Sequence, residues 1–187
     1  LLVMEYIPYP NLSRKLKRIL WNPFSNFNTI KPHIDLVLEW LISYEKSIFE
    51  NQTSEIGYYI PMIKDKITKI SFISNEEKRK ATSFLEEESS RFDQIPTIMT
   101  NKDFKSHNIL SKNNNIFVID WEMVDSASFI FWMPSTFIRT LSYDFYHSFF
   151  HNNKFELVES YFVENYLSKT IFTEFKDFYS LSSFFDL

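Results

Sequence analysis

An α+β domain, mainly helical and carrying one small β-hairpin, is the fold class this sequence predicts. Three observations predict it. Apolar residues recur at helical spacing along most of the chain. Two short apolar runs flank Asn113-Asn114-Asn115, which has the form of a hairpin turn because Asn tolerates the left-handed backbone such turns require. Hydrophobic residues make up 44% of the chain and aromatics 19%, with 21 Phe. A chain of 187 residues can bury roughly 70% of its unfolded surface, so this composition forms a core and excludes disorder.

The elements follow in order. Leu1-Leu2-Val3-Met4 is an apolar run that stops before Pro8, as a strand stops where no N–H is offered. Arg14-Lys15-Lys17-Arg18 reads as the solvated face of a helix. Ile34, Val37, Leu38, Leu41 and Ile48 place a core-facing stripe on a helix over residues 32–50. Pro61 opens a second helix with Ile63, Ile67 and Ile70 on one face. Ser74 and Glu77 form a capping box for a third, near 75–93, burying Ala81, Phe84, Leu85 and Phe92. That helix leads into a short strand at Pro96-Thr97-Ile98-Met99. Ile109-Leu110 and Ile116-Phe117-Val118-Ile119 are the hairpin strands. Phe137, Leu141, Phe145 and Phe149 mark another helix; Phe155, Val158, Phe162 and Tyr166 mark the next, and residues 172–185 a last one.

Several function classes are disfavoured by composition. A formal net charge of −4 argues against a dedicated nucleic-acid binder, which needs a basic face. Zero Cys means no disulfides and no thiolate metal sites, and a cytoplasmic setting is the expectation. No apolar run approaches the roughly 18 residues of a membrane span, so no membrane partner is expected. His147 and His151 are four apart but lack a third ligand for zinc.

The chemistry-bearing stretch is Asp103-Phe104-Lys105-Ser106-His107-Asn108, followed by Ile119-Asp120-Trp121-Glu122. It supplies an Asp, an Asn and a second Asp at the end of an apolar run. Phosphoryl transfer asks the protein mainly for positioning and charge stabilisation. Asp103 is placed to take the proton of an acceptor hydroxyl. Asn108 and Asp120 offer oxygens to Mg²⁺, which bridges nucleotide phosphates. The hairpin would return Asp120 beside Asn108. Lys105 could reach the transferred phosphoryl group as a mobile point charge. Glu122 is a weaker metal candidate.

The segment from Met99 to Glu122 resembles the catalytic core of the aminoglycoside phosphotransferase and choline kinase superfamily. Those enzymes typically carry His-Gly-Asp-x-x-x-x-Asn and then Ile-Asp-Trp-Glu or a close variant. Asp103, Asn108, Asp120 and the following Trp-Glu match. The resemblance implies a protein-kinase-like fold, of which residues 9–187 would be the large, C-terminal lobe. Residues 1–8 would be the last strand of the small lobe entering the hinge, with the backbone of Glu5, Tyr6 and Ile7 on the adenine edge. It also implies ATP and Mg²⁺ as cofactors and a hydroxyl of a small metabolite as acceptor.

The sequence departs from the family pattern in three places. Asn101 and Lys102 stand where the family has His and Gly, which threatens loop rigidity more than chemistry. After Glu122 comes Ser126-Ala127-Ser128-Phe129, without the further Asp that usually starts a helix. The one Gly, Gly57, cannot form a glycine-rich phosphate loop, and no strand lysine precedes the hinge. The expectation is a large-lobe fragment of a small-molecule kinase, with a catalytically inactive pseudokinase-type binding domain as the alternative.

Overall fold

The computed structural model describes residues 8–22, 24–49, 59–87, 94–146 and 153–184. It is α+β and mainly helical. The helices are α1 (Leu12–Leu20), α2 (Phe27–Phe49), α3 (Tyr59–Lys69), α4 (Asn75–Glu87), α5 (Trp132–Tyr146) and α6 (Asn153–Lys169). The strands are β1 (Thr97–Asn101), β2 (Ile109–Lys112), β3 (Asn115–Val118) and β4 (Val124–Phe129). A 3₁₀-helix spans Thr173–Phe184.

Local chemistry explains most boundaries. Asn11 caps α1, its side chain accepting from the Arg14 N–H at 2.8 Å. Ser74 and Glu77 close the expected capping box: Ser74 N–H donates to Glu77 Oε2 at 2.7 Å, and Glu77 N–H donates to Ser74 Oγ at 3.2 Å. Pro61 lies in the first turn of α3, where its missing N–H costs nothing. α2 starts at Phe27, earlier than residue 32, because Pro32 is accommodated inside it. Proline frees the carbonyl four residues back, that of Asn28. Asn28 is exposed, so water can serve it.

The core is one cluster built from every helix and from β1, β2 and β4. α2 packs on α6 and against β1, while α1 packs on α5. Phe137, Leu141, Phe145, Val158, Phe162 and Tyr166 are buried, as their spacing predicts. Phe84 is not: it is exposed, and only Leu85 of α4 is fully buried. α4 therefore presents a narrower stripe than its apolar residues suggest. Phe172, Phe175 and Phe178 are buried at strict intervals of three. That spacing suits the three-residue turn of a 3₁₀-helix, and this final segment is 3₁₀ rather than α. Phe92, Phe149 and Gly57 lie outside the described residues.

Two separate two-stranded antiparallel sheets frame the site. β1 pairs with β4, with a register irregularity between Ile98 and Thr100, and β2 pairs with β3 from Ile109↔Val118 to Lys112↔Asn115. The hairpin turn is Asn113-Asn114, with Asn113 at φ 53°. β4 was not expected: the sequence assigns no strand to Ser126-Ala127-Ser128-Phe129, yet the segment pairs with β1 from Thr97↔Phe129 to Asn101↔Val124. No helix among the described residues is long and apolar enough to cross a membrane.

A buried polar cluster ties α2 to α6. Glu45, on the core stripe of α2, accepts from Tyr166 Oη at 2.5 Å and from Thr170 Oγ1 at 2.7 Å. Burial pushes the Glu45 carboxyl above its usual value of 4.5, against the pull of these donors and the Ile171 N–H. The folded state therefore holds the Glu45 proton to higher pH than the unfolded chain does. The resulting stability is complete below about pH 4.5 and is lost as pH rises through the folded value. Asp35 and Glu77, by contrast, are held below the usual range by hydrogen bonds that outweigh any burial. Their contributions are lost only on acidification. Glu45→Gln should thus flatten the decline of urea-unfolding free energy above pH 4.5; an unchanged slope would show that Glu45 does not titrate in this window.

Candidate active site between the Asp103 loop and the hairpin

β1 ends at Asn101 and the chain turns through Lys102-Asp103 into a 3₁₀ turn at Ser106–Asn108. β2 and β3 then carry it out and back to Asp120. Hairpin register delivers the return: Ile119 N–H donates to Asn108 O at 2.9 Å. Asp120 therefore lies beside Asn108.

The three side chains meet. Asn108 Nδ2 donates to Asp103 Oδ2 at 2.8 Å and to the Asp103 carbonyl at 3.0 Å, and lies 3.4 Å from Asp120 Oδ2. Asn108 is largely buried. With its nitrogen committed to Asp103, its Oδ1 is left to accept from other groups or ligate a cation. Asp120 is exposed and sits in the left-handed region at φ 62°, ψ 61°. A non-glycine residue there costs on the order of 1 kcal/mol or more, a strain that clusters at functional sites. Asp tolerates it better than most residues.

Asn101 braces the loop from inside. It is fully buried. Its Oδ1 accepts from the Asp103 N–H at 2.9 Å and its Nδ2 donates to the Asp120 carbonyl at 3.0 Å. One amide thus fixes both acidic residues relative to β1. Lys102, at the Gly position, points away from the acids, pairing with Asp125 at 2.6 Å and lying over the Trp132 ring.

Lys105 Nζ lies 2.6 Å from Asp103 Oδ2, so the cation sits on the proposed proton acceptor. Behind the loop, Phe104 is buried and stacks on Trp40, which in turn stacks on Tyr44. Trp121 leans against both Trp40 and Tyr44 and donates its indole N–H to the Val118 carbonyl at 2.8 Å. Tyr44 donates to the Met99 carbonyl at 2.9 Å, and burial pushes its hydroxyl up to about 12. This aromatic wall holds both motif segments against α2.

Sequence reasoning missed the loop's deepest anchor. Asp144 of α5 is buried, accepting from Ser106 Oγ at 2.6 Å and Ser13 Oγ at 2.8 Å, with Lys17 Nζ at 3.2 Å. Its signal was present: residues 137, 141, 144 and 145 share one helical face, and an acid there needs buried partners. His107 Nε2 lies 3.2 Å from Ser13 Oγ. These are the residue types of a hydrolytic triad in an unsuitable order. Ser13 gives its only proton to Asp144, and His107 makes no hydrogen bond to a carboxylate among the described residues.

Glu5, Tyr6 and Ile7, the expected adenine contacts, lie outside the described residues, as do His147 and His151. Among the described residues no group of three or more His, Cys, Asp or Glu gathers as a metal centre. The candidate cation site is instead the Asp120 carboxylate and the amide oxygen of Asn108, with the Asp103 carboxylate beside them. No family model matches the chain, and no curated protein matches it.

Proposed function

We propose that this site transfers the terminal phosphoryl group of ATP to a hydroxyl of a small metabolite. One observation carries the reading: the amide of Asn108 lies within hydrogen-bonding reach of both Asp103 and Asp120. That arrangement puts a proton acceptor and hard oxygen donors around one small space, as Mg²⁺-assisted phosphoryl transfer requires. Asp120 and the Oδ1 of Asn108 would hold the ion. Mg²⁺ held there would supply positive charge to the nucleotide phosphates. Asp103 orients the acceptor O–H and takes its proton as the oxygen–phosphorus bond forms and the bond to ADP breaks. Lys105 swings from Asp103 toward the transferred group, releasing the carboxylate and neutralising phosphate charge in one movement.

The test is a panel of hydroxyl-bearing metabolites with labelled ATP on the full-length protein; no transfer to any of them argues against the reading. Asp120→Asn should raise the Mg²⁺ concentration for half-maximal rate by roughly tenfold or more, the scale on which changes around a bound ion act. An unchanged Mg²⁺ dependence removes Asp120 from the ligand set. A second reading, an inactive nucleotide-binding domain, is favoured by the Lys105–Asp103 ion pair at 2.6 Å. It requires saturable binding of Mg-ATP without turnover.

A further inference from the structure

The basic residues of α1 divide between two faces. At about 100° per residue, Ser13 and Lys17 share the side turned to Asp144. Arg14, Arg18 and Lys15 fall on the other side. There, with Pro10, Ile19 and His33 of α2, they wall a cavity of about 520 Å³. We propose that this cavity binds the phosphate group of a small, soluble phosphorylated molecule.

Four features support it. The volume lies within the roughly 300–1,000 Å³ of small-molecule pockets. Among the described residues no carboxylate lines it. Another cavity of about 520 Å³, on α4, sets Glu76 and Glu87 beside Arg79 and Lys80, so its charges cancel locally. The Arg14, Lys15 and Arg18 cations form no ion pair with described residues. Arg14 and Arg18 also stand four apart on one helix, where like charges repel. An anion in the cavity relieves that repulsion, and guanidinium forks match phosphate oxygens in pairs.

The interior of the site agrees. Lys15 donates from Nζ to Ser111 Oγ at 3.1 Å, and burial lowers its pKa without a carboxylate to offset it. His33 Nδ1 is buried and has no hydrogen-bond partner among the described residues. This site lies on the face of α1 away from the catalytic loop and does not depend on the phosphotransfer reading.

Inorganic pyrophosphate is the probe, titrated into the full chain by calorimetry with NMR of the His33 ring in parallel. Saturable binding in the millimolar range or tighter, with the His33 signals moving, is the expected result. Arg14→Ala/Arg18→Ala, both at exposed positions, should weaken binding about tenfold or more. Arg18→Glu should abolish it, while Arg79→Ala on α4 should leave it unchanged. Absence of saturable binding overturns the proposal. So does undiminished binding by either α1 variant when its melting temperature matches the parent's. Sedimentation with phosphatidylserine vesicles without pyrophosphate binding would also overturn it, since the ligand would then be a lipid headgroup.

Discussion

Asp103→Ala is expected to lower turnover by about 10²–10⁴, the usual contribution of a positioned proton acceptor. The backbone around it should survive. The Asp103 N–H is held by Asn101, whose other end is tied to the Asp120 carbonyl, and neither contact uses the Asp103 side chain. The substitution frees Lys105 from its ion pair and removes one acceptor from Asn108. Nucleotide affinity should therefore change little while kcat falls. Initial rates at saturating Mg-ATP separate the two effects. If the Ala variant keeps the parent's kcat, Asp103 is not the proton acceptor and the role assignment fails.

Asp144→Ala is the largest expected stability effect. The carboxylate is 2% exposed and accepts from two buried hydroxyls, those of Ser13 and Ser106. Hydrogen bonds to a charged group contribute about 1.5–3 kcal/mol each, and orphaned buried donors add a desolvation cost. Lys17 adds little, because its side chain is 41% exposed and water screens the pair. A loss of about 3 kcal/mol follows, lowering the melting temperature by roughly 6–12 °C for a domain of this size. Asp144→Asn keeps the shape and one acceptor oxygen, so it should fall between. Calorimetric melting of the three proteins checks the order. An Ala variant that melts with the parent would mean that the buried acid does not bolt α1 and α5 to the loop.

Much of the fold was readable in order along the chain. The Phe137–Phe145 and Val158–Tyr166 stripes, the Ser74–Glu77 box and the Asn113-Asn114 turn each depend on neighbours within a few residues. Their outcome was legible for that reason. Two things hid β4. Ser-Ala-Ser carries no apolar alternation, and its pairing with β1 is a contact across more than twenty residues. Phe84 misled because hydrophobicity marks what a helix can bury, not whether a partner lies opposite. Asn101 misled in the other direction. Taken alone it is a departure from the motif the segment resembles; in place, its amide oxygen and nitrogen bridge backbone atoms of Asp103 and Asp120.

Residue order and spacing were enough to establish a mainly helical α+β chain, its hairpin, and the segment bearing Asp103, Asn108 and Asp120. They fixed these because helix stripes, caps and tight turns are governed by interactions a few residues long. Which buried acids hold the loop, how Asn101 ties Asp103 to Asp120, and which cations of α1 face a cavity emerged only from packing. Those outcomes join residues up to 131 positions apart. Their energies come from excluding water between surfaces that no local window contains.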